Sequence, residues 1–208
     1  MKQALIVWGG WDGHQPQQVA ALLGDALKEE GFNVEISDTL DSFSDEDKLA
    51  SVDLIVPVWT MGKITPEQLK PLLYAVKVGG TGIAGCHGGM GDSFRNETEF
   101  QYMVGGQWVA HPGNDGVTYE VRIKDLNQPL TQGIGDFTVV SEQYYMHVDP
   151  GNQVHAVTYF GDVEMPVVWT KMYGSGKVYY NSLGHQANIV AMPETLELMR
   201  RGMVWAAR

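Results

Sequence analysis

Ala4 to Trp8 is an unbroken apolar run closed by Gly9-Gly10, the pattern of a strand buried on both faces. Pro16 then occupies a first helical position, and Val19, Leu22, Leu23, Ala26 and Leu27 recur at helical spacing until Gly31 ends the segment. Further strands are expected at Asn33 to Ser37 and Asp53 to Trp59. The acidic stretch between them, DSFSDEDKLASV, has no clear period and reads as a connection. Thr65-Pro66-Glu67-Gln68 carries a capping threonine, a proline at the first helical position and a glutamine that completes a capping box; Pro71 predicts a bend in that helix. A fourth strand, Thr81 to Cys86, runs into the glycine turn GCHGG. This βαβα order predicts a mainly parallel, doubly wound sheet with right-handed crossovers.

The second half changes period. Val117 to Ile123, Asp136 to Val140, Val154 to Phe160, Val167 to Thr170 and Lys177 to Ser182 are strand-like runs divided by turn residues. MYGSGK reads as a hairpin turn, and Pro193 to Ala207 as a final amphipathic helix. At 208 residues, 44% of them hydrophobic, the chain has enough apolar surface for one core, and residues 1–208 are expected to form one domain. The 14 Lys and Arg against 25 Asp and Glu give a formal charge of -11 with no basic block, which disfavours nucleic acid and anionic membranes as partners. One cysteine cannot form an internal disulfide, and the apolar run near the N-terminus is too short for a signal segment. The expectation is a cytoplasmic protein.

Ligands of open α/β sheets bind beyond the carboxyl ends of the strands. That rule selects the loops GGWDGH, WTMGK and CHGGMG and predicts that they share one crevice. In the third loop Gly85 and Gly89 flank His87 as small residues flank the apex of a nucleophile elbow, which lifts its central side chain from a strained backbone. Cys86 lies one position earlier, so strand alternation turns it away from the direction of His87. His14, His87, His111 and His185 all stand by glycine or proline at strand ends or in loops, whereas His155 sits within an alternating strand and reads as structural. Trp11, Trp59, Trp108, Tyr144 and Tyr145 offer flat apolar faces, and Asp12, Glu142 and Gln143 offer hydroxyl partners, a mixture suited to a sugar. Trp169 and Trp205 fall in strand and helix patterns and read as core, and Met90 as an anchor for the helix after the elbow.

The elbow Gly85 to Gly89, the segment Gly105-Gly106-Gln107-Trp108 with His111-Pro112, Glu142-Gln143-Tyr144, and the terminal block from Pro166 through Tyr173-Gly174-Ser175-Gly176-Lys177 to Leu183-Gly184-His185 resemble the ThuA-like family. The resemblance covers essentially the whole chain. It implies a flavodoxin-like, class I glutamine amidotransferase-like three-layer sandwich with an antiparallel extension, and a place in carbohydrate metabolism. True amidotransferases carry cysteine at the elbow and a glutamate two residues after the activating histidine. Here the elbow holds His87, and His185 is followed by Gln186-Ala187, so the resemblance does not extend to thiol chemistry.

Two chemical versions follow. In one, His87 and His185 act as acid and base with Glu142 orienting a ring or taking a proton. In the other, two or three of His14, His87, His111 and His185, with Glu142 or Asp12, hold a divalent metal that polarises a carbonyl or activates water. Trp11, Asp12, His14, Trp59, Trp108, His111 and Tyr144 are the expected substrate-binding residues. Three function classes stay open: an enzyme acting on a sugar, keto-sugar or glycoside; a non-catalytic sugar-binding or regulatory protein; and a hydrolase using Cys86. The expected partner is a small-molecule sugar, and the sequence is compatible with a homo-oligomer.

Overall fold

Apolar runs with few charges form the parallel strands β1 (Gln3–Gly10), β3 (Leu54–Thr60), β4 (Gly82–Cys86) and β11 (Gly176–Asn181) in a computed structural model that describes residues 1–208. The alternating β2 (Asn33–Ser37) takes the edge. One nine-stranded sheet has the order β2-β1-β3-β4-β11, continued by β10 (Val163–Tyr173), β9 (Gln153–Phe160), β6 (Val117–Ile123) and β7 (Phe137–Ser141). The first five strands are parallel and the last four pair antiparallel. The order 2-1-3-4 is that of flavodoxin-like sheets, with β11 in the fifth place.

Alternate side chains of the parallel strands feed two cores, and this makes three layers. Ile6, Val56, Ala84 and Tyr179 pack with α1 (Pro16–Glu29) and α7 (Pro193–Ala206). Leu5, Ile55, Ile83 and Tyr180 pack with α3 (Pro66–Lys77) on the other face. Thr65 and Gln68 form the expected capping box, and α3 runs through Pro71 without ending. No helix is long and apolar enough to cross a membrane.

Three readings change. The stretch expected to be a bare connection contains a 3-10 turn, Leu40–Phe43, and the helix α2 (Glu46–Ser51). Asp45 Oδ1 accepts the Lys48 amide at 2.9 Å, so a local cap and the burial of Leu49 substitute for a long periodic face. Strand β10 is far longer than Val167 to Thr170, and its ladder with β9 is irregular at Pro166, where proline has no amide to donate. Finally, β5 (Gly106–Ala110) and β8 (Tyr145–Val148) pair in a separate two-stranded ribbon, too short to leave a period in the sequence. The MYGSGK turn is a hairpin as expected: Tyr173 pairs with Gly176 across Gly174-Ser175.

Candidate metal and sugar site

His87 follows β4 with φ 51 and ψ -133, a conformation that costs a non-glycine residue on the order of 1–3 kcal/mol. The end of β11 holds it there. The His87 amide donates to Asn181 O at 2.7 Å, the Tyr180 hydroxyl donates to His87 O at 2.8 Å, and ring Nδ1 lies 2.8 Å from Ser182 O. A carbonyl only accepts, so Nδ1 carries the proton and Nε2 of the neutral ring is a bare lone pair. The next position must be glycine: a Cβ on Gly88 would stand 2.7 Å from the His14 ring and from Thr60 Oγ1.

That lone pair points at Glu142. Oε2 of Glu142 lies 3.1 Å from His87 Nε2, 3.2 Å from His185 Nδ1 and 3.9 Å from His14 Nε2; its other oxygen is 3.7 Å from His111 Nε2. His14 comes from the 3-10 turn Asp12–His14 after β1, and its Nδ1 is 2.8 Å from Thr60 Oγ1 at the end of β3. His185 follows β11. Glu142 arrives from the link between β7 and β8, where the Tyr119 hydroxyl donates to its carbonyl at 3.0 Å. One candidate ligand atom each from His14, His87, His185 and Glu142 lies within 4.8 Å of the others, and all four residues are buried. The carboxylate beside His185 thus comes from a distant part of the chain.

Burial pushes His14 down to about 3, reinforced by His87 and His185 and opposed by Glu142. Burial also lowers His87, against the pull of Glu142. For Glu142, burial acts upward, but the contacts with His185 and His87 override it and hold the carboxylate below its ordinary range. Two neutral imidazoles therefore face an anionic oxygen. Burial drives the Cys86 thiol up to about 12, and its side chain packs in the α1/α7 core. We expect Cys86→Ala to cost about 1 kcal/mol of stability from lost packing and to leave ligand binding and any activity within a few-fold. Loss of either property in a folded variant, measured by calorimetric titration, would restore the thiol as a functional group.

The other expected site residues divide. Trp11, 47% exposed, meets the His14 ring edge-on at 4.7 Å. Tyr144 stacks on His87 at 3.9 Å, and Trp108 lies 5.4 Å from His111, which is 27% exposed at the rim. Asp12 is exposed in a shallow groove with Trp8 and Gln15, outside the cluster of His14, His87, His185 and Glu142. Trp59 turns to the opposite face of β3 from Thr60, where its indole covers Gly9 and Gly62 instead of the histidines. Gln143 points away from Glu142 and donates to Thr158 Oγ1 at 2.8 Å, while Tyr145 packs against Phe160. His155 bonds Thr170 within the sheet, Trp169 is core, and Met90 packs in the α3 core. Thr60, Tyr119 and Ser182 had no sequence signal except that Thr60 ends a strand at the predicted crevice.

Solved structures share this architecture. A ThuA-like protein of Parabacteroides merdae ATCC 43184 superposes with TM-score 0.81 at 17% identity, over 99% of this chain and 89% of that one. One from Bacteroides uniformis ATCC 8492 gives 0.80 at 16% identity, over 99% and 91%. A Salmonella typhimurium LT2 protein described as cytoplasmic gives 0.70 at 14% identity, over 99% and 97%. At such identities the likeness is one of fold. No curated protein matches the chain. A family model for ThuA, described as trehalose utilisation, matches residues 3–206, and with nearly every residue inside that match the chain belongs to the ThuA family.

Proposed function

We propose that the protein is a metal-assisted enzyme of carbohydrate metabolism that acts on a sugar, keto-sugar or glycoside, with His14, His87, His185 and Glu142 as the ligands of a divalent ion. The observation that carries this reading is the bare Nε2 of His87 set 3.1 Å from an ionised carboxylate oxygen. Two electron-rich atoms at that distance repel unless a proton or a cation lies between them; one proton would satisfy this pair alone, whereas a divalent ion would satisfy the four clustered donors together. Three imidazole nitrogens with one carboxylate oxygen form a donor set suited to zinc, for which neighbouring ligand atoms stand about 3.3–3.5 Å apart.

Held by His14, His87, His185 and Glu142 with a further position open, such an ion would polarise a carbonyl or make bound water acidic. The chain's own residues do the rest. Ser182 O and Thr60 Oγ1 fix the ring orientations of His87 and His14, as partners of ligating histidines do. Glu142 Oε1 and the rim residue His111 form the pair placed to pass a proton between the cluster and the mouth. A cavity of about 10 Å³ beside His14, Thr60 and His87 has room for no more than one water, so a sugar meets the cluster from the side of Trp11, Trp108 and His111.

We place this activity in one cytoplasmic domain with a small-molecule sugar as partner and neither nucleic acid nor membrane; the Salmonella relative's description and the acidic charge support that placement. The test is calorimetric titration of chelator-treated protein with Zn²⁺, followed by product analysis on trehalose and keto-sugar panels. One ion bound per chain and turnover that depends on it is the expected result. Absence of stoichiometric binding would remove the metal reading, and saturable sugar binding without turnover would favour a binding protein.

A further inference from the structure

The segment after the elbow holds polar groups that the His/Glu cluster does not use. Asp92, whose side chain is only 6% exposed, closes the short helix α4 (Gly88–Gly91). It is paired with Arg95 side-on: Nε donates to Oδ1 at 2.6 Å and Nη2 to Oδ2 at 2.8 Å. The guanidinium also lies 4.7 Å from the centre of the Trp108 ring. Beneath this pair two non-glycine residues have left-handed backbone, Met61 at φ 57 and Phe94 at φ 47. They are laced together: the Met61 amide donates to Asp92 O at 2.8 Å, the Phe94 amide donates to Met61 O at 3.1 Å, and the Ser93 hydroxyl donates to Gly89 O at 2.7 Å. Backbone strain persists only where surrounding contacts over-determine it, and it clusters where placement matters. A surface arginine needs no such foundation.

Of the five guanidinium N–H groups, Asp92 takes one on Nε and one on Nη2. The other three point away from Asp92, and with 51% of the side chain exposed they are open to a ligand. Their position relative to the cluster is fixed through the aromatic wall: Trp108 lies 6.3 Å from Tyr144, which stacks on His87. Trp108 also keeps a buried indole N–H without a partner. Because Arg95 is already neutralised by Asp92, the subsite suits hydroxyl and carbonyl oxygens more than a full anion. We infer that Arg95, locked by Asp92 and laid on Trp108, is the specificity-determining residue that selects ring hydroxyls of a neutral sugar presented to the cluster.

This inference rests on the sugar-site reading above. The test is calorimetric titration of Zn²⁺-loaded parent, Arg95→Met and Arg95→Lys with trehalose, its keto derivative and an epimer of trehalose differing at one ring hydroxyl. The parent is expected to prefer one of the three at least tenfold. Arg95→Met should lose that preference, and Arg95→Lys should recover little of it, because a lysine cannot make two parallel bonds to Asp92. A merely structural role would weaken all three sugars equally and leave their ratio unchanged. Should Arg95→Met fold poorly by thermal melt, Arg95→Lys and Trp108→Phe carry the comparison. A parent without preference, or a variant that keeps it, overturns the inference. Parallel Zn²⁺ titrations separate this outcome from failure of the metal reading: all variants should bind the ion as the parent does, and a parent that binds none refutes the metal site while the sugar ratios still decide Arg95.

Discussion

Glu142→Gln is expected to weaken Zn²⁺ binding roughly a hundredfold or more and to abolish turnover, while leaving the metal-free protein at least as stable as the parent. The two effects have one cause. In the metal-free protein Glu142 sets a charged oxygen against the lone pair of His87 at 3.1 Å, in a site where both side chains are buried. A glutamine amide of nearly the same shape can donate a hydrogen to that lone pair and removes a buried charge. The same amide is a poor metal ligand and cannot act as a base. Calorimetric titration and melts in chelator measure the two halves separately. A variant that binds Zn²⁺ normally would show that Glu142 is not a ligand; a metal-free variant that melts well below the parent would show that the carboxylate stabilises the fold through protons alone. Alanine at His87, at His185 or at both should cost about the same in turnover, since residues acting as one unit are strongly non-additive. Additive losses would dissolve the unit.

The metal-free protein is expected to lose stability as pH falls from 7.5 to 5, with His14 alone accounting for about 2 kcal/mol by pH 5. His14 is held at about 3 in the fold, against an ordinary histidine value of 6.5. Below pH 6.5 the unfolded chain takes up a proton there that the folded chain refuses, so acid favours unfolding. His87 is shifted in the same direction by burial and adds to the loss. Both histidines push the same way. Urea unfolding midpoints at pH 7.5, 6 and 5 in chelator test this, and equal midpoints would mean that the histidines are solvated in the folded state. With Zn²⁺ present the midpoint should be higher at pH 7.5 and fall more steeply, because protons compete for the same imidazole nitrogens.

Local pattern carried much of the architecture. Unbroken apolar runs marked β1, β3 and β4, helical spacing marked α1, and the Thr65 to Gln68 box marked the start of α3, because each of these signals is a property of neighbouring residues. The elbow was legible for the same reason, since Gly85, His87, Gly88 and Gly89 are consecutive or nearly so. Short elements stabilised by long-range pairing were not: β5 and β8 have meaning only against each other, and α2 depends on one cap and one buried leucine.

The site divides along the same line. Strand-end rules brought His14 and His87 toward one crevice from sequence alone, and His185 joins them in the structure because β11 runs parallel to β4 and ends at the same edge. Whether Glu142 joined them turned on the direction and tether of an antiparallel segment, and that was decided by the Tyr119 hydroxyl reaching its carbonyl. Trp59 shows the converse. It follows the right strand and its neighbour Thr60 reaches His14, but the two-residue period of the strand turns its indole to the other face. A sequence specifies which residue types are available at each strand end. Only the packed chain fixes which atoms meet, because that depends on register, on side-chain face and on hydrogen bonds between residues far apart in sequence.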